Sequence, residues 1–270
     1  MPPPSSWLQS DVSAGPPEPG PAPQHPELTV IVPCFNEEAN VPLLAQELRE
    51  ELAAAGIESY EVIFVDDASS DSTTKRVRAE VERGPANRFR LLRLAENSGQ
   101  SSAVEAGIGH ARGGILVVMD GDLQNLPADI PKLLAPILDG SADCACGWRT
   151  TRQAGDDWYR RVQSRIANAV RNRLTDDDIH DSGCGFRAFR RECVERVKFF
   201  RGMHRFLPTL IRLEGFRVVE VPVGHRPRLH EASKYGMWDR AFTALRDTFA
   251  VRWMRSRVVR WRVVERTDDE

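Results

Sequence analysis

The chain is predicted to fold as an α/β protein: a Rossmann-like, mostly parallel mixed sheet with helices on both faces. Three observations predict this. Short apolar, β-rich runs recur at Leu28 to Pro33, Tyr60 to Val65, Arg90 to Ala95 and Ile115 to Met119; each stops at a polar loop; and helical segments lie between them. Crossover connections of one hand then place the polar loops on one edge of the sheet, where open α/β sheets bind ligands.

The first strand breaks at Pro33 and runs into Cys34-Phe35-Asn36-Glu37-Glu38. Asn36 is placed to cap a following helix, with Glu37 and Glu38 complementing its positive end. The second strand ends in Asp66-Asp67-Ala68-Ser69-Ser70-Asp71-Ser72-Thr73, and the third in Glu96-Asn97-Ser98-Gly99-Gln100. Small residues from Ser101 to Ala111 predict a closely packed helix. Asp143 to Arg149 is a further β-like piece, Trp158 to Leu174 an arginine-rich amphipathic helix, and Val218 to Val221 a last strand before a basic loop, His225 to Tyr235. Beyond it Trp238, Phe242, Leu245, Phe249 and Trp253 are spaced for one helical face.

The fourth strand matters most, because Asp120-Gly121-Asp122-Leu123-Gln124 follows directly on a wholly apolar run. Asp120 and Asp122 lie two apart, so on an extended backbone both carboxylates point to one side. Paired oxygen ligands suit a hard divalent cation, Mg²⁺ or Mn²⁺, above all one shared with phosphate oxygens. Asp-Gly-Asp is also ordinary turn chemistry, and the tripeptide alone does not separate a solvated turn from a metal site.

At 270 residues the chain can bury one large α/β core with a modest appendage, and its net charge of −2 gives no general attraction for nucleic acid. Five cysteines without a C-x-x-C spacing indicate neither a disulfide framework nor a zinc site, and fit a reducing cytoplasm. Met1 to Pro26 holds nine of the eighteen prolines, and no secretory leader is evident there. The expected organisation is a disordered Pro-rich tail over 1–27, one catalytic-type domain over 28–235, a basic amphipathic helical segment over 236–262 and an acidic tail over 263–270.

Taken in order, Val32-Pro33-Cys34-Phe35-Asn36-Glu37, Val65-Asp66-Asp67 with Ser69 and Asp71, Asn97 with Gly99, Met119 to Gln124, Gly147-Trp148-Arg149, Asp181 to Phe189 and Ser233-Lys234-Tyr235 resemble the family 2 glycosyltransferases of GT-A fold. Within that family they are similar to polyprenyl-phosphate sugar transferases of the dolichol-phosphate mannosyltransferase type. The resemblance covers roughly Leu28 to Tyr235, and the ordered set is far more specific than any one motif.

The resemblance implies an inverting transfer of a mannose- or glucose-type hexose from a GDP- or UDP-sugar to a polyprenyl phosphate. Asp120, Asp122 and Gln124 would hold Mg²⁺ or Mn²⁺ against the donor diphosphate. Pro33, Phe35, Glu37, Asp67, Asp120 and Arg149 would line the nucleotide-sugar pocket, with Asp66 orienting its loop. Glu37 has the alternative of simple helix capping, and Arg149 that of a surface arginine. Asp181, set close to the reacting centre, and Arg149 are the catalytic candidates. A lipid phosphate is already ionised near neutral pH and needs no strong base, whereas a hydroxyl acceptor would make Asp181 the base.

Two arginines, a lysine and a serine concentrated in the His225 to Tyr235 loop suit a phosphate monoester, so the acceptor-phosphate candidates are Ser182, Arg226, Arg228, Ser233 and Lys234; Arg228, Ser233, Lys234 and Tyr235 match the family's R-x-x-G-x-S-K-Y pattern, in which this chain has Glu231 where glycine is usual. A carboxylate there repels an anion unless paired, for example with Arg226 or Lys234. Two alternatives stay open: a hydroxyl acceptor, such as a polysaccharide end or small polar molecule, and a non-catalytic scaffold of the same fold. Aromatic residues beside the arginines of 236–262 suit an anionic membrane surface. No run there approaches the roughly 20 apolar residues of a spanning helix, so the expectation is a peripheral protein at the cytoplasmic membrane face, with a separate membrane subunit as a candidate partner.

Overall fold

A computed structural model describes residues 26–84, 88–149, 171–175, 177–227 and 237–257, the last from its backbone alone up to residue 244. Residues 1–25 of the expected 1–27 tail, the expected tail over 263–270, most of the arginine-rich helix, and the loop positions Arg228, Glu231, Ser233 and Lys234 lie outside the described residues.

Seven strands form one sheet: β1 (Leu28–Cys34), β2 (Tyr60–Asp66), β3 (Phe89–Arg93), β4 (Ile115–Val118), β5 (Cys144–Arg149), β6 (Arg187–Arg190) and β7 (Val218–Val223), in the order β3-β2-β1-β4-β6-β5-β7. The pairs β1–β2, β1–β4, β2–β3 and β5–β7 are parallel, while β6 is antiparallel to both β4 and β5. Hence β6 alone runs against the other six, and its first residue, Arg187, lies at their carboxyl edge. The sequence reading did not separate this strand, because a four-residue Arg-Ala-Phe-Arg run carries too short an apolar pattern.

The helices are α1 (Val41–Ala54), α2 (Thr73–Arg83), α3 (Gln100–His110), α4 (Ile130–Leu138), α5 (Leu207–Leu213) and α6 (Met237–Ser256), with a helical stretch at 171–175. Alternate strand residues feed two cores. Val30, Val32, Val62, Phe64, Val117 and Ala145 pack with α1, α2 and α4, whereas Ile31, Ile63, Val65, Val118, Cys146 and Phe189 pack with α3, α5 and α6. Burial on both faces explains why the central strands read as unbroken apolar runs. The small residues of α3 are explained by close approach, since a Cβ on Gly107 would lie 2.3 Å from Ile31 Cγ2.

Two local expectations are corrected. Asn36 does not cap a helix: α1 starts five residues later at Val41, after a turn in which Asn40 and Val41 donate their N–H groups to the Glu37 carbonyl. Asn36 itself takes φ 56° and its Oδ1 accepts the Ser70 N–H at 2.9 Å. The Asp120 to Gln124 segment is also not extended, for Gly121 and Asp122 form a turn and Leu123 has φ 62°.

Candidate active site

A cleft of about 500 Å³ opens at the carboxyl edge of the sheet. One wall comes from the end of β1 and the loops after β1, β2 and β4, which contribute Pro33, Phe35, Glu37, Asp67, Asp120, Asp122 and Gln124. The opposite wall holds Arg149 from β5, Ser182, Arg187 from β6, and His204 and Arg205 from a 3₁₀ turn at Met203–Arg205, with Gln100 of α3 also lining the cleft. Every nucleotide-sugar, metal and catalytic candidate but Asp181 thus lines one cavity, and Asp181 is bonded to Arg149 just behind it.

The acidic wall is held by hydrogen bonds between its loops. The N–H groups of Asn36, Glu37 and Glu38 donate to Ser69 Oγ, Thr73 Oγ1 and Asp71 Oδ2 at 2.9, 2.7 and 3.2 Å. Burial alone would raise the Asp71 pKa, but hydrogen bonds from Thr73 and Glu38 outweigh it and hold the carboxyl below its ordinary value. Asp66, fully buried, accepts the Ser69 N–H and the Thr74 hydroxyl. Asp67 does similar work on the next loop, where its two oxygens accept the N–H groups of Ser98 and Gly99 at 2.8 Å each. Both aspartates therefore orient loops, and Asp67 also faces the cleft. Among the described residues the only non-glycine residues with positive φ are Asn36, Ala68 and Leu123, one on each loop of this wall. Backbone strain gathered at one edge is a common mark of a functional site.

Asp120 and Asp122 differ in their support. Gln100 Nε2 donates to Asp120 Oδ1 at 2.7 Å, and Gly185 backs directly on this carboxylate, since a Cβ there would lie 2.7 Å from Oδ2. Asp122 Oδ1 accepts the Gln124 N–H at 3.2 Å, the Asx-turn chemistry of its sequence. A turn of this kind does not exclude metal binding, since it leaves both carboxylates at the cleft. Gln124 Nε2 donates to the Arg226 carbonyl at 3.3 Å, so a metal contact from this side chain would use Oε1. No cluster of three or more His, Cys, Asp or Glu suited to a metal occurs among the described residues. Two carboxylates and an amide oxygen fit a hard cation whose remaining ligands are phosphate oxygens and water.

On the opposite wall Arg149 and Asp181 form a forked pair, with Nε to Oδ2 at 2.6 Å and Nη2 to Oδ1 at 2.8 Å. This hydrogen-bonded pairing raises the Arg149 pKa, and Nη1 is the nitrogen not committed to Asp181. Asp181 is 3% exposed, and its own N–H donates to Glu220 Oε1 at 3.1 Å. Arg226 does not face the cleft as expected for an acceptor-phosphate ligand: its guanidinium pairs with Glu47 Oε1 of α1 at 2.6 Å, the close carboxylate available to it. Cys34 lines the cleft floor, and burial pushes its thiol pKa well up, so it supplies no thiolate.

Gln100, Arg187, His204 and Arg205 were not singled out from the sequence. His204 Nδ1 lies 2.9 Å from Ser101 Oγ, and burial, then the charges of Arg205 and Arg187, lower its pKa to about 3. Arg187, 3% exposed, donates to the carbonyls of His204 and Ser182. Gln100 comes from the start of α3 after the β3 loop, whereas Arg187 is brought by the reversed strand and His204 and Arg205 by the 3₁₀ turn at Met203–Arg205.

The model for glycosyl transferase family 2 matches residues 29–198. The chain is 38% identical over 232 residues to a dodecaprenyl-phosphate galacturonate synthase of Rhizobium johnstonii, covering 83% of this chain and 66% of the relative. It is 34% identical over 212 residues to an undecaprenyl-phosphate 4-deoxy-4-formamido-L-arabinose transferase of Edwardsiella ictaluri, covering 78% and 63%. The chain thus spans just under two thirds of the length of these relatives. Among solved structures, glucosyl-3-phosphoglycerate synthase from Mycobacterium tuberculosis bound to phosphoglyceric acid superposes with a TM-score of 0.63 at 20% identity, covering 87% of this chain and 81% of that one. A mannosyltransferase from Pyrobaculum calidifontis bound to GDP-Man and Mn²⁺ gives 0.58 at 24%, covering 88% and 67%. These neighbours show the GT-A fold, and the family match with its ordered cleft motifs identifies the chain as a member of glycosyl transferase family 2.

Proposed function

We propose that this protein is an inverting, metal-dependent glycosyltransferase that moves a hexosyl unit from a GDP- or UDP-sugar to a polyprenyl phosphate. The observation that carries the reading is the Arg149–Asp181 fork. A hydroxyl acceptor would need a general base, and Asp181, the candidate for it, has both oxygens taken by a guanidinium. A phosphate monoester is ionised near neutral pH and needs no such base. It needs a cation, and Arg149 supplies one held in a fixed plane. The similar polyprenyl-phosphate transferases support the same acceptor.

In this reading Phe35, 41% exposed at the cleft mouth, stacks on the base, and Glu37 accepts from ribose or base. Asp120, Asp122 and Gln124 Oε1 hold Mg²⁺ or Mn²⁺, which when bound supplies Lewis-acid neutralisation of the departing diphosphate. Arg149 Nη1 and Ser182 orient the acceptor so that one phosphate oxygen attacks the anomeric carbon in line. The new C–O bond forms as the bond to the diphosphate breaks, the nucleoside diphosphate leaves, and the anomeric centre inverts.

A peripheral position at the cytoplasmic face of an anionic membrane completes the proposal. No helix among the described residues is long and apolar enough to cross a bilayer. Helix α6 packs inward through Asp247, Thr248 and Val251, yet Leu245, Phe249 and Trp253 are 45, 52 and 62% exposed, beside the exposed arginines Arg246, Arg252 and Arg255. An apolar stripe turned outward among arginines suits a headgroup layer. Flotation with phosphatidylglycerol vesicles should retain the protein and phosphatidylcholine vesicles should not. For the reaction itself, radiolabelled nucleotide sugars are incubated with a short polyprenyl phosphate and Mn²⁺ or Mg²⁺. Chelator-sensitive label should enter the organic phase; nucleoside diphosphate release without organic label would favour a hydroxyl acceptor.

A further inference from the structure

Arg187 and Arg171 are the two fully buried arginines among the described residues. Arg171 pairs with Asp177, and the half-buried Arg49, Arg90 and Arg149 pair with Glu80, Glu61 and Asp181, whereas the half-buried Arg190 and Arg191 donate to carbonyls away from this cleft. Arg187 is 3% exposed and meets only two neutral carbonyls, those of His204 and Ser182; its Nε has no hydrogen-bond partner, and no carboxylate lies within ion-pair distance among the described residues. A buried guanidinium without a counter-charge is costly, and this one lines the cleft.

Its neighbours are arranged to donate as well. Ser101 Oγ accepts the Gly202 N–H at 3.1 Å and lies 2.9 Å from His204 Nδ1. With His204 neutral, the serine hydroxyl's one acceptor in this arrangement is Nδ1, which places the ring proton on Nε2. Arg205, next in the chain, lines the same wall. A fixed cation, a second arginine and a neutral imidazole N–H therefore converge on one side of the cavity. The charges already assigned do not use them: the donor diphosphate belongs to the cation at Asp120 and Asp122, and the acceptor phosphate to Arg149. The remaining part of the substrates is the sugar ring.

We propose that the transferred sugar itself is acidic: the donor is a nucleotide-linked uronic acid whose C6 carboxylate is received by Arg187, His204 and Arg205. This rests on the proposed glycosyl transfer and narrows its donor. A carboxylate supplies the missing counter-ion beside Arg187, accepts from His204 Nε2, and has the planar shape that the Arg205 guanidinium matches. A neutral hydroxymethyl group would leave the Arg187 charge uncompensated inside the complex.

The test is calorimetric binding to the full chain, with Mn²⁺ and without acceptor, of matched donors: UDP-glucuronate against UDP-glucose, UDP-galacturonate against UDP-galactose, and GDP-mannuronate against GDP-mannose. One uronate should bind about tenfold or more tightly than its neutral partner, and Arg205→Met should bring that ratio close to one. Because loss of Arg187 could impair folding, Arg187→Lys, checked by thermal unfolding, is the second variant and should lower the ratio while retaining some uronate preference. Equal or weaker binding of every uronate overturns the proposal. Organic-phase transfer from the same donors separates the two readings: efficient transfer of neutral hexoses leaves the lipid-phosphate reaction standing and removes the acidic donor, whereas uronate-selective binding with no lipid labelling keeps the acidic site and removes the lipid acceptor.

Discussion

The two walls of the cleft are built on opposite plans. On the parallel half, the acidic wall takes Glu37, Asp67, Asp120 and Asp122 from loops that directly follow strands; backbone N–H groups tie the loops after β1, β2 and β3 together, and the Asp122 loop is closed by its own turn. On the mixed half, the basic wall gathers Arg149, Arg187, His204 and Arg205 from three separate segments, with Arg149 paired to Asp181 behind it. The lesson is a division of labour: the acidic wall offers oxygen for a cation, and the basic wall offers nitrogen for anions.

The contrast is broken most severely on the acidic side. Asp122→Ala should lower turnover by about a thousandfold, since a metal contribution of several kcal/mol to leaving-group stabilisation is lost. Thermal unfolding should stay cooperative, because Asp122 is only partly buried and its hydrogen bond to the Gln124 N–H closes a local turn. Unchanged turnover in the folded variant would remove the metal assignment.

On the basic side, Asp181→Asn should cost about a hundredfold in kcat/KM by releasing the Arg149 plane, and Arg149→Met about as much. The double variant should be no worse than either single one, because the pair acts as a unit; additive losses would separate the two residues. A third variant joins the walls. Gly185→Ala places a methyl 2.7 Å from Asp120 Oδ2 and must push that carboxylate away. Turnover should fall about tenfold and the metal concentration for half-maximal rate should rise, while an unaltered metal response would show that the contact relaxes freely.

The smallest effect is on stability. His204 has a folded pKa of about 3 against an ordinary 6.5, so the unfolded chain binds its proton more readily. The stabilising contribution is complete above about pH 6.5 and is lost as pH falls toward about 3. Between pH 6.5 and 5 this amounts to at most about 2 kcal/mol. His204→Gln should flatten that part of the stability profile, measured by urea unfolding at each pH; an identical slope would show that His204 is not buried as described.

Much of the acidic wall was legible in the sequence because each of its residues sits within a few positions of an apolar run, and strand-end position follows from topology. Asp120 and Asp122 stand together in the sequence for this reason, and the turn between them is the ordinary chemistry of Asp-Gly-Asp. Asn36 was misread because a capping residue and a left-handed loop residue share the same preference for asparagine. The basic wall was less legible. Arg187 is one of many arginines, and its burial depends on a reversed strand whose four residues carry no distinct period. His204 gains its meaning from Ser101, 103 positions away. Of the acceptor loop, Arg226 looked like a phosphate ligand by composition, yet Glu47 on α1 claims it through a contact 179 residues distant.

The most direct test of lipid-phosphate transfer is ³¹P NMR of the organic-phase product after incubation with nucleotide sugar, metal and polyprenyl phosphate. A phosphodiester resonance should replace the phosphate monoester, and should be absent with Asp122→Ala. A monoester that persists while nucleoside diphosphate accumulates would contradict the phosphate acceptor.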